Sequence, residues 1–120
     1  MAETNKEECI FCKIARREIK ADIISDEDNF VVVNDAQPVA PGHCLIIPKK
    51  HYKTLLYMPS SLGGELIDIA KKQGARLIKE KKADGFKPVN NNFKAGGQFV
   101  MHFHLHVIPE KLGVKREKQV

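Results

Sequence analysis

Three of the five histidines stand at His102, His104 and His106, every second residue of the run "MHFHLHVIP". Side chains alternate faces along a strand, so the three imidazoles share one face while Met101, Phe103, Leu105 and Val107 point the other way. An ordinary solvent face would carry Lys, Thr, Ser or Glu there. Two chemistries fit the imidazoles instead. Alternate residues on a strand can both ligate one ion, and His is the commonest transition-metal ligand. Alternatively, one imidazole is a nucleophile whose neighbours fix its tautomer and handle protons. The preceding stretch "NNNFKAGGQFV" is rich in amides and glycine, so its backbone can approach a ligand closely and aim N–H groups at an anion. Phosphoryl chemistry needs that combination: donors around the transferring group, in line with a nucleophile.

Cys9 and Cys12 form a second candidate group. Three cysteines, an odd number, argue against a disulfide framework, so this pair reads as reduced thiols or metal ligands and Cys44 as core.

The elements that must position these residues follow from periodicity. "CIFCKIARREI" has helical spacing at Ile10, Phe11, Ile14 and Ala15, with Arg16 and Arg17 near its end. "ADIISDEDNFVVVNDAQP" reads as a hairpin, with strands at Ile23 and Ile24 and from Phe30 to Asn34 around a polar turn. "AQPVAPG" is loop, and "HCLIIPKKH" is an apolar strand ended by Pro48. Residues 59–82 form the long helix, with Ser60 or Ser61 as N-cap. "FKPVNNN" is the next strand, and "NNFKAGG" turns into the histidine strand. Helix, three strands, long helix and two strands predict an α+β fold, an antiparallel sheet with helices packed on it.

At 120 residues the chain is sized for one domain, read as 1–120 with a core of about 9–110 and a basic tail over 111–120. The 42% hydrophobic and 29% charged fractions match a globular protein and exclude a disordered one. No apolar run is long enough to span a membrane, and the start lacks a secretory pattern, so the cytoplasm is the expected compartment. A net charge of +5 favours anionic partners, although runs such as "KEKK" and "KREK" are expected to be solvated. With six Phe, two Tyr and no Trp, mostly in apolar runs, nucleic acid is not expected as the main ligand.

"HFHLHVI", together with "GGQ", "FVVVNDAQPVAPGHCLIIPKKH" and "CIFCKI", resembles the histidine triad (HIT) superfamily, in its Hint-like branch. The resemblance implies a HIT-like fold with a five-stranded antiparallel sheet, and a nucleotide hydrolase or transferase acting at the α-phosphate of purine nucleoside phosphoramidates or related nucleotides. It implies that His104 attacks phosphorus, that His106 contacts the phosphate and leaving group, and that His102 supports the geometry or binds metal. It places Asp35 on the ribose, where a carboxylate accepts from both hydroxyls of a diol. Phe11, Ile14, Ile19 and Val33 match positions that sandwich the purine. Asn91 aligns with an amide that touches the phosphate, with Asn90 as the alternative. Gln98 and the residues after it, Phe99 and Val100, align with the phosphate loop, and Phe99 stands where relatives carry a Ser or Thr hydroxyl.

The resemblance also implies a structural zinc held by Cys9, Cys12, His51 and His102, with none needed for the chemistry, and it puts His43 beside the pocket as support. It implies a homodimer joined through the long helix and a strand edge, with which the Leu66, Ile69, Ile78 stripe is compatible, as it is with internal packing. Three other functions stay open: a dinucleoside polyphosphate hydrolase, a nucleotide-binding interaction module with little turnover, and a zinc-dependent hydrolase that uses the triad as ligands.

Overall fold

The structure, a computed structural model, describes residues 8–120. The first seven residues, read above as a non-secretory start, lie outside the described residues. Helix α1 is Ile10–Ala15; strands β1 (Ile23–Asp26) and β2 (Phe30–Asn34) form the expected hairpin, and β3 is Cys44–Pro48. Two short 3₁₀ turns, Leu55–Tyr57 and Ser60–Leu62, lead into helix α2 (Gly63–Lys79). Strand β4 is Gly85–Val89, a 3₁₀ turn covers Lys94–Gly96, and β5 is Leu105–Glu110. The five strands form one antiparallel sheet in the order β1-β2-β3-β5-β4. Pro88 lies in β4, an edge strand, where its missing N–H costs no ladder bond on the outer side.

The sheet has apolar layers on both faces. Val31, Val33, Leu45 and Ile47 pack with Phe11, Cys12 and Ile14 of the α1 segment. Phe30, Val32, Cys44 and Ile46 pack on the other face with Ile69 and Leu77 of α2. The central strands β2 and β3 are therefore buried on both sides and read as unbroken apolar runs. Of the α2 stripe, Leu66 and Ile69 belong to this core, whereas Ile78 is exposed, as is Ile67. No helix among the described residues is long and apolar enough to cross a membrane.

Both helices are shorter than the sequence predicts, for one physical reason. At the end of α1 the N–H groups of Arg17 and Glu18 bond back to the carbonyls of Ile14 and Lys13. At the end of α2 those of Lys81 and Lys82 bond back to Ile78 and Leu77. Each is a Schellman turn, which needs a left-handed residue, and Arg17 (φ 62°) and Lys81 (φ 61°) supply it where glycine would be the usual signal. The N-terminus of α2 is also corrected. Ser60 and Ser61 lie in the 3₁₀ turn, the N-cap is Leu62, and no side chain caps it. Glu65, in the first turn, instead accepts from the backbone and side-chain N–H of Asn29 at 3.0 and 2.8 Å, tying α2 to the β1–β2 turn.

The histidine run is not one strand. β5 begins at Leu105, so only His106 lies within it, and His102 and His104 occupy an extended segment ahead of it. The last ladder pair with β3 is Ile46 with Leu105, and two residues further on Phe103 would stand opposite Pro48, which has no N–H to give. The chain leaves the ladder there, and other partners take over its polar groups. Phe103 N–H donates to the Tyr52 carbonyl, and the Asn90 amide donates to the His104 carbonyl at 3.1 Å.

Candidate functional site

His106 is fixed by register. It pairs with Leu45 on β3 and Val89 on β4, and cross-strand partners share a face, so its ring lies on the α1 side of the sheet. The His104 ring follows on the same side, 5.0 Å from that of His106 and 5.0 Å edge-on to Phe11. Both rings reach a cavity of about 910 Å³. Phe11, Ile14, Ile19 and Val33 line it, and so do Asp35, Asn91, Phe99 and Val100. Ile19 can do so because α1 stops at Ala15 and releases it from the helix.

Two expected residues fall outside the cavity wall. Gln98 is buried, its carbonyl accepting from Phe93 N–H at 2.7 Å and its amide donating to the carbonyls of Lys53 and Val100 at 2.6 and 3.0 Å. These three bonds shape the loop and turn the Gln98 side chain away from the cavity. The His102 side chain likewise turns away from the cavity toward the cysteines, and what it offers His104 is its main chain.

Among the three consecutive asparagines, Asn90 and Asn92 are committed. Asn90 donates to His104, while Asn92 donates to Asn90 at 2.7 Å and accepts from Leu55 N–H at 2.8 Å. Asn91 faces the cavity beside Gly97, whose left-handed φ of 91° lets the loop turn there. Asp35 has two uses. One oxygen accepts from Gln37 N–H at 2.9 Å in an Asx turn, and the other stands 3.4 Å from His43 Nε2. Phe99 is 91% exposed at the cavity mouth.

Burial holds the imidazoles neutral. It pushes His106 down to about 4 and depresses His104 and His43 in the same direction. His104 Nδ1 lies 2.8 Å from the His102 carbonyl, which can only accept, so Nδ1 carries the proton and Nε2 carries the lone pair. That is the tautomer of a nucleophile.

On the other side of His102, Cys9, Cys12, His51 and His102 bring four ligand atoms within 4.8 Å of one another. His102 Nδ1 is 3.3 and 3.5 Å from the sulfurs of Cys9 and Cys12 and 3.2 Å from His51 Nδ1; His51 Nδ1 is 3.3 Å from the Cys12 sulfur. Ligands at about 2.0–2.3 Å from a tetrahedral centre stand about 3.3–3.8 Å apart, so the spacing suits a four-coordinate metal. The outer contact suits it too. His102 Nε2–H donates to the Pro48 carbonyl at 2.8 Å, which leaves a lone pair on Nδ1 facing the cluster. Asp35, His43 and His106 also lie within 4.8 Å of one another, but the second group differs in that respect: Val39 N–H donates to His43 Nδ1 at 3.1 Å and so keeps a proton on Nε2, the atom a metal would need.

Sequence reasoning missed the C-terminal tail. Lys118, Gln119 and Val120 line the cavity. Arg116, expected to be solvated, is mostly buried and forks onto Glu110 at 2.9 and 2.7 Å, while its remaining nitrogen donates to the Lys118 carbonyl at 2.6 Å. The guanidinium holds the Glu110 carboxyl down to about 2. Charge spacing of this kind has no local periodicity, so no pattern in the sequence pairs these two residues.

The comparisons with known proteins agree with this geometry. The family model described as the HIT domain matches residues 16–113. The chain is 39% identical to adenosine 5′-monophosphoramidase HNT1 of Saccharomyces cerevisiae over 86% of its own length and 63% of that protein. It is 34% identical to adenylylsulfatase HINT3 of Arabidopsis thaliana over 92% of its length, spanning 56% of that protein. Among solved structures, a Zn-bound histidine triad family protein from Mycobacterium smegmatis superposes with a TM-score of 0.89 at 30% identity, covering 96% of this chain and 84% of that one. With the triad, the sheet and the family model in agreement over most of its length, the chain belongs to the histidine triad family.

Proposed function

We propose that the protein is a nucleotide hydrolase or transferase acting at the α-phosphate of purine nucleoside phosphoramidates or related nucleotides, with His104 as nucleophile. The observation that carries this reading is the bond from His104 Nδ1–H to the His102 carbonyl, which aims an unprotonated Nε2 at an apolar cavity with a carboxylate, Asp35, on its wall. The purine lies between Phe11, Ile14, Ile19 and Val33, and Asp35 accepts from the ribose hydroxyls. Asn91 and the backbone amides of Phe99 and Val100 hold the phosphate. His104 Nε2 bonds to phosphorus as the P–N bond to the leaving amine breaks, that nitrogen having taken a proton from solvent. Water then attacks phosphorus, the P–Nε2 bond breaks, and a proton returns to solvent with release of the nucleoside monophosphate. The names of the yeast and plant relatives support this class of reaction.

Cys9, Cys12, His51 and His102 would hold one structural zinc, which supplies no step of this chemistry; the Zn-bound relative supports that assignment. A homodimer through α2 and the outer edge of β4 is part of the same reading, with Ile67 and Ile78 exposed for it.

The test is hydrolysis of adenosine 5′-phosphoramidate. Wild type is expected to turn it over and to yield a trapped nucleotidyl protein by mass spectrometry, and His104→Ala to lose more than about a thousandfold in rate. Unchanged hydrolysis by the variant would sink the mechanism. Faster turnover of diadenosine polyphosphate by wild type would move the substrate class to dinucleoside polyphosphates.

A further inference from the structure

His43 is 1% exposed, lies just before β3, and is used by no step above. The loop before it doubles back: Gly42 takes φ 96°, where a Cβ would stand 2.8 Å from a Leu77 methyl, and the Val39 backbone N–H thereby reaches His43 Nδ1 at 3.1 Å. A main-chain N–H can only donate. Nδ1 of His43 is therefore the acceptor, and the proton of its neutral ring sits on Nε2. That Nε2 is 2.9 Å from His106 Nδ1, with the Asp35 carboxylate 3.4 Å away. His106 Nδ1 must then accept, which places the His106 proton on Nε2, the edge left for the cavity.

We infer that His43 is a positioning residue that fixes His106 as a neutral Nε2–H donor, so that His104 and His106, two residues apart, present opposite tautomers to the phosphoryl group. The main chain sets both: the His102 carbonyl gives His104 its bare nitrogen, and the Val39 amide, through His43, gives His106 its proton. Opposite tautomers have a use. A second bare nitrogen would set a lone pair against the phosphoryl oxygens, whereas an N–H is attracted to them and more strongly so as charge builds in the transition state. No proton moves along this chain in the reaction. If His43 gave its Nε2 proton to His106, its Nδ1, engaged by Val39, could not take up another in exchange. Burial agrees, since it disfavours the imidazolium of both rings.

What the donor is aimed at rests on the proposed function, but the tautomer does not, and it can be read on the resting protein. Two-bond 1H–15N spectra of the full chain labelled with 15N-histidine should show His106 protonated on Nε2 in wild type. His43→Gln offers one acceptor and one donor, as neutral imidazole does, and should keep that pattern. His43→Leu offers neither and should shift His106 toward the Nδ1–H form. In the phosphoramidase assay His43→Leu should lose about a hundredfold in kcat with little change in KM, and His43→Gln should recover most of it. His106 protonated on Nδ1 in wild type, or equal losses in the two variants, would overturn the inference. Wild-type protein that hydrolyses no phosphoramidate would refute the proposed function instead, with the spectra still deciding the role of His43.

Discussion

Phe93 holds a backbone conformation, φ 63° and ψ 163°, that only glycine adopts without strain. It stays there because its N–H is held by Gln98 at 2.7 Å and its carbonyl accepts from the N–H groups of Gly96 and Gln98. The strain sits in the loop that presents Asn91 and Gly97 to the cavity. Phe93→Gly should keep those bonds and remove the strain, at the cost of a more flexible unfolded chain and a half-exposed ring. The net expectation is a gain of about 1 kcal/mol, read as a higher urea midpoint at unchanged slope. A loss of stability would mean that the ring packs for more than the backbone costs. At this scale residue type was legible and direction was not. The "NNN" run names three equivalent amides, and only the bonds of Asn90 and Asn92 single out Asn91 as the one that faces the cavity. The side chains of Gln98 and His102 face away from the cavity, because a loop outside the ladder has no period from which orientation can be read.

Between elements, the Cys9, Cys12, His51, His102 cluster joins the start of α1, the segment after β3 and the segment before β5. Helix α1 has only six residues, too few to be stable by propensity, and makes few contacts apart from those to β3 and the apolar layer above it. A metal there would fasten it to the sheet, and with it Phe11 and Ile14 of the cavity wall. Purified protein is expected to carry one equivalent of zinc per chain and not two, because the Val39 N–H disfavours a metal on His43. Cys9→Ser should lower that content well below one equivalent and bring thermal unfolding down by several degrees, as measured by elemental analysis and calorimetry. Full zinc occupancy in the variant would remove Cys9 from the ligand set. The antiparallel strands and their order of appearance were legible because β-branched runs and proline breaks are local signals. The ends of α1 and α2 were not, since Arg17 and Lys81 occupy the turns that glycine normally marks. The start of β5 was misread because alternation continues through His102 and His104 after the ladder with β3 has stopped at Leu105.

Across the whole molecule, the sheet separates a layer packed by α2 from a layer in which apolar side chains surround imidazoles that must stay neutral. Composition predicted a globular chain and the order of elements an α+β fold, but neither shows that His43 and His106 would meet, or that the tail would return to the cavity, since both depend on contacts between distant residues. This arrangement carries a cost in acid, and its sign is fixed. Burial lowers the folded pKa of His106 from 6.5 to about 4, so between those values the unfolded chain binds a proton that the folded chain refuses. Above pH 6.5 both states are neutral at this position and His106 leaves stability unchanged. As the pH falls through the window stability drops, and near pH 4 the full penalty, of the order of 3 kcal/mol, is reached. Loss of metal from thiolates and imidazoles also destabilises in acid, but it affects wild type and His106→Asn alike, so the difference between them isolates this ring. Urea unfolding at intervals from pH 8 to pH 4.5 should give wild type the steeper loss, with the two curves diverging below about pH 6.5. Parallel curves over that range would mean that His106 is solvated well enough to take up its proton in the folded state, and that the neutral donor assigned to it does not survive below neutral pH.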